Sequence, residues 1–189
     1  MNVSNTILSG LLIIEPRIFT DARGFFVETW HQARYREFGL PAQFVQDNLS
    51  SSTYGALRGL HFQHPHAQGK LVYVLQGEIF DVAVDIRVGS PTFGKSVCVM
   101  LSGENKRQVY VPEGFAHGFC VTSEYALVVY KCTDFYAPQS EEGVLWNDPD
   151  LEIDWPVHTP ILSDKDRHYV PLSRIPHERL PRYDSGGRG

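Results

Sequence analysis

Three basic side chains lie close together in the stretch from Gly55 to Gly77, where they could bind an anion or a reacting oxygen. Arg58, His61 and Lys70 fall on or beside two alternating apolar runs that favour β-strands. Like charges near a core repel one another unless a negative group lies among them. The stretch therefore predicts a site for negative charge. The alternative is that Arg58 and Lys70 only extend to solvent from strand ends and that His61 is a hydrogen-bonded core histidine.

The spacing within this stretch resembles the two sequence motifs of cupin barrels. Gly55 stands six positions before His61, and Lys70 stands seven positions before Gly77. Residues 112–117, PEGFAH, supply the second motif. The resemblance predicts a cupin-type barrel built around these positions.

Two of the four metal-ligand positions of that cupin frame carry other side chains. Gln63 stands in place of a histidine and Lys70 in place of a glutamate, whereas His61 and His117 remain. An ammonium group repels a metal cation, and a neutral amide is a poor ligand for a transition metal. The sequence therefore predicts a cupin barrel that works without a metal.

Composition indicates one globular domain. The 189 residues are 42% hydrophobic with no linker-like stretch, which predicts a single domain over residues 1–189 with a flexible tail from about residue 183. A net charge of −5 without a basic run disfavours a nucleic acid polymer as partner. The early apolar run at residues 11–14 is too short for a signal sequence or a membrane span.

The cysteines predict a reducing compartment. Cys98, Cys120 and Cys132 are odd in number and lie in apolar runs without paired metal spacing. We expect three buried thiols and no disulfide, which is typical of a cytoplasmic protein.

Short apolar runs at near-regular spacing predict an all-β sandwich or barrel. Short helices are expected at residues 31–38 and from residue 163. The expected strands cover residues 11–15, 25–30, 44–50, 56–62, 72–75, 79–86, 97–101, 108–111, 118–121 and 126–132. The fold class is therefore all-β, a cupin-type jelly-roll barrel with a few short helices.

Two local predictions concern the middle of the chain. Gln76, Gly77 and Glu78 fit a tight hairpin between consecutive strands. Asp81 and Asp85 alternate with valines in the second of these strands, and we expect them to face solvent or to cap a neighbouring strand.

Six segments, in this order, resemble the dTDP-4-dehydrorhamnose 3,5-epimerase family. They are DARGFFVET at 21–29, FVQDN at 44–48, LRGLHFQ at 57–63, GEIFDVAVD at 77–85, PEGFAHGF at 112–119 and SDKD at 163–166. The resemblance implies a homodimeric jelly roll that needs no metal or organic cofactor. Its implied reaction inverts carbons 3 and 5 of a dTDP-linked 4-keto-6-deoxy sugar, turning dTDP-4-dehydro-6-deoxy-glucose into dTDP-4-dehydro-rhamnose in dTDP-rhamnose biosynthesis.

The resemblance also implies catalytic roles. Each inverted carbon is next to a ketone, so a base removes its proton from one face and an acid protonates the other. By resemblance His61 is the base, Tyr130 is the acid and Asp166 orients His61. A cation stabilises a developing enolate, so we assign Lys70 as the donor to the enolate oxygen. Without the resemblance, Tyr130 would be interpreted as a core tyrosine and Asp166 as a solvated or helix-capping acid.

Substrate-binding residues follow from the same resemblance. In the family, Arg23, Phe26 and Glu28 belong to a strand that crosses to the partner subunit and contacts the nucleotide; alone they would be an ordinary edge-strand pattern. A buried histidine that satisfies the turn at Gly114 stays an alternative for His117. The other expected contacts are Gln46, Asn48, Arg58, His117, Tyr136, Glu142, Lys165 and Arg167.

Two other functions stay open from the sequence. A mono-epimerase would use the same scaffold and invert only carbon 3 or only carbon 5, because the pose of the sugar decides which carbons reach His61. A non-enzymatic jelly-roll sugar binder would have no use for an opposed base and acid.

Overall fold

The computed structural model describes residues 1–184, so most of the predicted tail, residues 185–189, lies outside the described residues. The regular secondary structure of the described chain is mostly short strands. The strands are β1 (Asn2–Asn5), β2 (Leu12–Glu15), β3 (Ile18–Asp21), β4 (Gly24–Val27), β5 (Gln46–Thr53), β6 (Leu57–Gln63), β7 (Lys70–Gln76), β8 (Glu78–Asp85), β9 (Ser96–Ser102), β10 (Gln108–Val111), β11 (Phe115–Val121), β12 (Tyr125–Cys132) and β13 (Glu141–Gly143). The helices are α1 (Gln32–Arg36) and α2 (Asp164–Arg167), with 3-10 turns at Pro138–Ser140, Pro149–Leu151, Leu172–Arg174 and His177–Arg179.

Two antiparallel sheets form the body of the protein. One has six strands in the order β1-β2-β10-β7-β12-β5, and the other has five in the order β13-β6-β11-β8-β9. Strands β3 and β4 form a separate two-stranded hairpin. Most neighbouring strands are distant in sequence, as in a jelly roll, so the predicted all-β architecture is confirmed. Among the described residues, no helix is long and apolar enough to cross a membrane.

The main core lies between the two sheets. Val72 and Val74 of β7 pack with Ile79 of β8, Leu101 of β9 and Phe119 of β11. Each is at most 4% exposed. Burial of one such side chain stabilises the fold by about 1.5–3 kcal/mol, and alternation along each strand supplies the apolar face.

A second core covers the outer face of the five-stranded sheet. Val82 and Val84 of β8 contact a group of apolar side chains from the C-terminal part of the chain. That group includes Leu151, Trp155, Leu172, Ile175 and Leu180. The sheet is therefore buried on both faces, and every residue of β11 is buried.

This double burial explains why the prediction for Asp81 and Asp85 was wrong. The two residues are 1% and 0% exposed. Alternation places them on the same face of β8 as Ala83, which lies in the core between the sheets. The opposite face, with Val82 and Val84, is covered by a segment that lies far away in sequence, so alternation alone assigned the polar face to solvent.

Asp85 is stabilised by donors from the loop that follows β8. Its carboxylate accepts hydrogen bonds from Arg87 Nε at 2.8 Å, Ser90 Oγ at 2.6 Å and Thr92 Oγ1 at 2.7 Å. Burial alone would raise the pKa of Asp85, but these hydrogen bonds hold it below its ordinary value. The buried carboxylate of Asp85 therefore holds the loop that follows β8 in place.

The predicted hairpin at Gly77 is also wrong. Strand β7 pairs with β10 and β12, whereas β8 pairs with β9 and β11, so Gly77 carries the chain from one sheet to the other. Gly77 has φ +79°, and a Cβ there would overlap the backbone oxygen of Tyr125. A glycine fits any sharp reversal of the chain, and the local sequence does not reveal which strands then pair.

The expectation of three buried thiols holds for two cysteines. Cys120 and Cys132 are buried, whereas Cys98 is exposed, and all three are free. Cys98 lies on β9, the edge strand of the five-stranded sheet, where one side of the strand has no neighbour among the described strands. Apolar neighbours in sequence therefore did not guarantee burial.

We expect Gly77→Ala to lower the free energy of unfolding by about 3 kcal/mol or more, because left-handed backbone costs an alanine about 1–2 kcal/mol and the Cβ also collides with backbone. Gly89→Ala is the matched control, since Gly89 has φ +88° but, apart from its own chain neighbours, no described residue comes within 4 Å of an added Cβ. Urea unfolding at one protein concentration measures both variants. Equal losses in the two variants would contradict the close approach at Gly77.

Candidate active site

A cavity of about 740 Å³ opens between the two sheets, within the size range of small-molecule sites. Strands β5, β7 and β12 line it from the six-stranded sheet, β6 and β11 line it from the five-stranded sheet, and α2 closes one side. The sequence-predicted residues that line the cavity are Gln46, Asn48, Arg58, His61, Lys70, His117, Tyr130, Tyr136, Lys165 and Asp166.

His61 and Asp166 form a close pair. Nε2 of His61 lies 2.6 Å from Oδ1 of Asp166, which is 2% exposed. Ser163 caps α2 by accepting a hydrogen bond from the backbone N–H of Asp166 at 3.1 Å, which positions the carboxylate at the helix start. An Nε2–H that donates to Asp166 leaves the lone pair of the imidazole on Nδ1. The pair can therefore act as an oriented base.

Opposing influences set the charge of Asp166. Burial alone would raise its pKa, but the hydrogen bond and charge of His61, with donors from Ser163 and the backbone of Gly59, lower the pKa below its ordinary value. Asp166 is therefore a carboxylate at neutral pH and stabilises positive charge on His61.

Tyr130 reaches the cavity from the opposite sheet. It lies on β12, paired with Val72 of β7 and Asn48 of β5, whereas His61 lies on β6 of the five-stranded sheet. Burial raises the pKa of Tyr130, so its phenol keeps its proton at neutral pH. A protonated phenol and a histidine–carboxylate pair thus face the same space from two sides.

Lys70 lines the cavity at the start of β7. Burial lowers the pKa of its ammonium, an effect partly opposed by Cys132, Glu141 and Asp81. Within residues 1–184, no side chain forms a salt bridge with Lys70. Its donors are therefore available to an oxygen in the cavity that gains negative charge.

His117 forms a second buried pair. Its Nε2 lies 2.9 Å from Oδ2 of Asp81, and its strand places it directly opposite His61 in the β6–β11 register. The His117 ring is 7% exposed and lines the cavity. It hydrogen-bonds Asp81 and not the turn at Gly114, which was the alternative interpretation.

Polar side chains of β5 line the mouth. Gln46 donates from Nε2 to Oδ1 of Asn48 at 3.1 Å, and accepts from the backbone N–H of Tyr136 at 2.9 Å. Arg58 of β6 donates from Nε to Ser52 Oγ at 2.9 Å. Nδ2 of Asn48 donates to Cys132 Sγ at 3.5 Å. Among the described residues, the remaining guanidinium and amide N–H groups are available to hold a polar ligand.

Glu141 is a cavity residue that the sequence analysis missed. It accepts hydrogen bonds from Tyr136 Oη at 2.6 Å and from Lys165 Nζ at 2.5 Å. Burial would raise the pKa of Glu141, but these hydrogen bonds and the charges of Lys165 and His61 lower it. Alternation along β13 decides that Glu141 and not its neighbour Glu142 faces the cavity, and a three-residue strand gives no pattern from which to predict it.

Five of the sequence-predicted binding residues do not line this cavity. Glu142 hydrogen-bonds Nε of Arg179 at 3.0 Å, and Arg167 donates from Nη2 to the backbone oxygen of Leu162 at 3.2 Å. The other three belong to the exposed β3–β4 hairpin or follow it directly: Arg23 pairs with Asp21, Phe26 is 67% exposed and Glu28 pairs with Arg34.

Fold and cavity together are those of a cupin-type isomerase, a jelly roll that presents a histidine–carboxylate pair, a tyrosine and a lysine to one ligand space. The family model for dTDP-4-dehydrorhamnose 3,5-epimerase matches residues 5–174. The chain belongs to this family.

Relatives agree in sequence and in structure. The dTDP-4-dehydrorhamnose 3,5-epimerase of Shigella flexneri is 58% identical over 168 residues, 88% of this chain and 93% of that protein. The crystal structure of a dTDP-6-deoxy-D-glucose-3,5-epimerase from Legionella pneumophila, in complex with dTDP-4-keto-L-rhamnose, matches with a TM-score of 0.95 and 55% identity over 97% of this chain and 99% of that one. A dTDP-4-dehydrorhamnose 3-epimerase of Streptomyces niveus is 43% identical over 88% of this chain and 81% of that protein.

The lowered pKa of Asp166 sets the sign of a pH effect. Its carboxylate stabilises the fold above its unfolded-state pKa of about 4, and this contribution is lost as the pH falls through the lower folded-state pKa. We expect Asp166→Asn to lower the free energy of unfolding by about 2 kcal/mol at pH 7, and the difference from wild type to shrink below about pH 4.

Urea unfolding at several pH values measures this difference, with Asp150→Asn as the control for loss of an exposed carboxylate. A difference for Asp166→Asn that stayed constant down to about pH 2 would contradict the stabilising pair.

Proposed function

We propose that this chain inverts carbons 3 and 5 of dTDP-4-dehydro-6-deoxy-glucose to give dTDP-4-dehydro-rhamnose. The observation that carries the proposal is that the His61–Asp166 pair and Tyr130 reach one cavity from opposite sheets. Inversion by proton transfer needs a base on one face of the carbon and an acid on the other. Membership of the epimerase family supports the substrate.

The base in this proposal is Nδ1 of His61. It takes the proton from the carbon beside the 4-keto group, and the electron pair of the C–H bond moves to form an enolate. The imidazole becomes an imidazolium, whose charge Asp166 stabilises through Nε2–H. A positioned base of this kind contributes about 10²–10⁴ in rate.

Lys70 is the proposed donor to the enolate oxygen. Its ammonium lines the cavity without a salt-bridge partner among the residues described, and burial strengthens the interaction with an oxyanion. One donor serves both inversions, because carbons 3 and 5 flank the same carbonyl. The mechanism uses no metal: Lys70 and Gln63 occupy two positions where a metal-binding cupin has ligands.

Tyr130 completes the inversion by protonating the enolate from the opposite face. Its raised pKa keeps it a neutral acid until the carbanion forms, and the tyrosinate then regains a proton from solvent. The imidazolium of His61 releases the abstracted proton to solvent before the second carbon reacts.

The proposed nucleotide site combines two subunits of a homodimer. The β3–β4 hairpin exposes Phe19, Phe25 and Phe26 by 49–67%, more apolar surface than a free two-stranded hairpin would keep in water. We place Arg23 and Phe26 of one subunit, together with Glu28, at the cavity of the other. The groups that would meet the substrate from within the chain are Gln46, Asn48, Arg58, His117, Tyr136, Glu141 and Lys165.

A cytoplasmic location is part of the proposal. Free Cys98, Cys120 and Cys132 suit a reducing compartment.

Inversion of one carbon only is the second candidate. The Streptomyces niveus relative is named a 3-epimerase, and the same residues could serve one carbon if the sugar is held in a single pose. Incubation of the sugar nucleotide with the wild-type protein in deuterated water separates the candidates: deuterium at both carbons supports the 3,5-epimerase, at one carbon the mono-epimerase, and at neither a binder.

We expect His61→Ala and Tyr130→Phe to fail differently in that assay. His61→Ala should lower both deuterium exchange and epimer formation by about 10²–10⁴, because no base remains. Tyr130→Phe should still exchange deuterium into the starting sugar with retention, while epimer formation falls about 10²-fold. NMR of the sugar reads both quantities. A Tyr130→Phe variant that epimerises at the wild-type rate, or a His61→Ala variant that exchanges rapidly, would reassign the acid and the base.

We expect inactive Arg23→Ala and His61→Ala subunits to rescue one another. In a mixed dimer one site carries both defects and the other carries neither, so a fully exchanged equal mixture should regain about a quarter of wild-type activity. The control is a mixture of His61→Ala with Lys70→Met subunits, in which every site keeps one defect. Absence of recovery after verified subunit exchange would count against a shared site.

A further inference from the structure

Tyr169 lies beside the catalytic pair, although nothing in the sequence singled it out. It follows α2 and is fixed on its C-terminal side, where Val170 bridges Val144 and accepts a hydrogen bond from the backbone N–H of Leu145 at 3.0 Å. This backbone contact directs the Tyr169 side chain toward the segment that contains β13.

The Tyr169 ring occupies a slot that exists only because residue 143 is glycine. A Cβ on Gly143 would lie 2.5 Å from Cδ2 of Tyr169 and closer still to Cε2 and Cζ. Gly143 is buried and has no left-handed φ, so the requirement concerns space and not backbone conformation. In the register of β13 with β6, Gly143 stands directly opposite His61. The slot is therefore next to the imidazole.

The ring meets His61 edge to face. The centroids of the two rings are 5.9 Å apart, and their planes are inclined by 72°. The hydrogen bond to Asp166 holds the imidazole only at Nε2, and rotation of the ring about χ1 or χ2 lengthens that bond and lets the other tautomer form. A second contact, from an aromatic ring that is itself wedged against backbone, restricts that rotation.

The hydroxyl group of Tyr169 does not account for the presence of a tyrosine at this position. It is buried and has no hydrogen-bond partner among the described residues. Burial raises the pKa of Tyr169, and nearby Glu141, Asp166 and Glu142 raise it further, so the phenol stays neutral. The ring, not the hydroxyl, makes the contact that matters for His61.

We infer that Tyr169 is a positioning residue for His61: its ring, seated over Gly143 and against the imidazole, holds the plane of the base so that Nδ1 faces the reacting carbon. The inference rests on the proposed role of His61 as the base. Proton transfer depends steeply on alignment, and a misplacement of about 1 Å can lower a rate 10²-fold.

Kinetics of two variants separate the ring from the hydroxyl. Tyr169→Leu removes the aromatic contact and should lower kcat by roughly 10-fold or more with little change in KM. The isotope effect for the deuterated carbon should rise, because proton removal becomes slower than the other steps. Tyr169→Phe keeps the ring and should retain the wild-type kcat. Thermal unfolding checks that each variant is folded.

Gly143→Ala tests the same contact independently, because it displaces the Tyr169 ring without changing Tyr169 itself. The added Cβ pushes the intact tyrosine ring out of its slot, so kcat should fall about as far as in Tyr169→Leu. The double variant Gly143→Ala/Tyr169→Leu should be no slower than Tyr169→Leu alone, since the ring that the methyl group displaces is already gone. If the double variant instead lost kcat by the product of the two single-variant losses, the two positions would act separately.

Nitrogen NMR of the His61 imidazole tests the inference without any turnover. Nitrogen shifts distinguish the protonated from the unprotonated ring nitrogen, and a His61→Gln spectrum assigns the signals. Wild type and Tyr169→Phe should show one fixed tautomer, whereas Tyr169→Leu should show averaged shifts. Wild-type shifts and wild-type kcat in Tyr169→Leu, or equal damage in Tyr169→Phe, would overturn the inference. A wild-type protein that shows the fixed tautomer but does not epimerise would refute the proposed function and not the role of Tyr169.

Discussion

The buried carboxylate of Asp166 requires a partner, and it finds one when the C-terminal third of the chain docks against β6. The carboxylate is 2% exposed, and an unpaired charge at that depth would oppose folding strongly. Its partner, His61, lies 105 residues earlier on β6. Pairing the two brings α2 onto the five-stranded sheet, and the chain that flanks α2 then packs Trp155, Leu172 and Ile175 over the outer face of that sheet. One buried hydrogen-bonded pair and one apolar surface thus depend on the same docking.

The sequence predicted elements better than it predicted their neighbours. Alternation and turn residues placed β7, β10 and the start of α2 correctly, because these signals are local. Which strands pair across Gly77 is decided by long-range contacts, so a local turn signal could not separate a hairpin from a crossover. The buried position of Asp81 had the same cause: the segment that covers the opposite face of β8 lies about 70–100 residues later in the chain.

The residues of the candidate site likewise divide into those that the sequence predicted and those that only the three-dimensional structure reveals. His61 and Lys70 were found from residue types and spacing, and Tyr130 and Asp166 from the resemblance to the epimerase family, and these side chains do line one cavity. Glu141 escaped because the orientation of a three-residue strand follows from pairing with β6. Tyr169 and Gly143 escaped because a ring and the empty space beside a glycine are complementary only in three dimensions.

The order of translation decides when α2 can dock onto the five-stranded sheet. Synthesis delivers β6, with His61, to the ribosome exit long before Asp166 and the apolar side chains of residues 151–180. Until those residues emerge, the outer face of the five-stranded sheet is open to water and His61 lacks its partner Asp166. A nascent chain with a nearly complete barrel is therefore an exposed, aggregation-prone species that lacks the His61–Asp166 pair. Protection of the hydrophobic surface and assembly of the His61–Asp166 pair occur at the same late stage of translation.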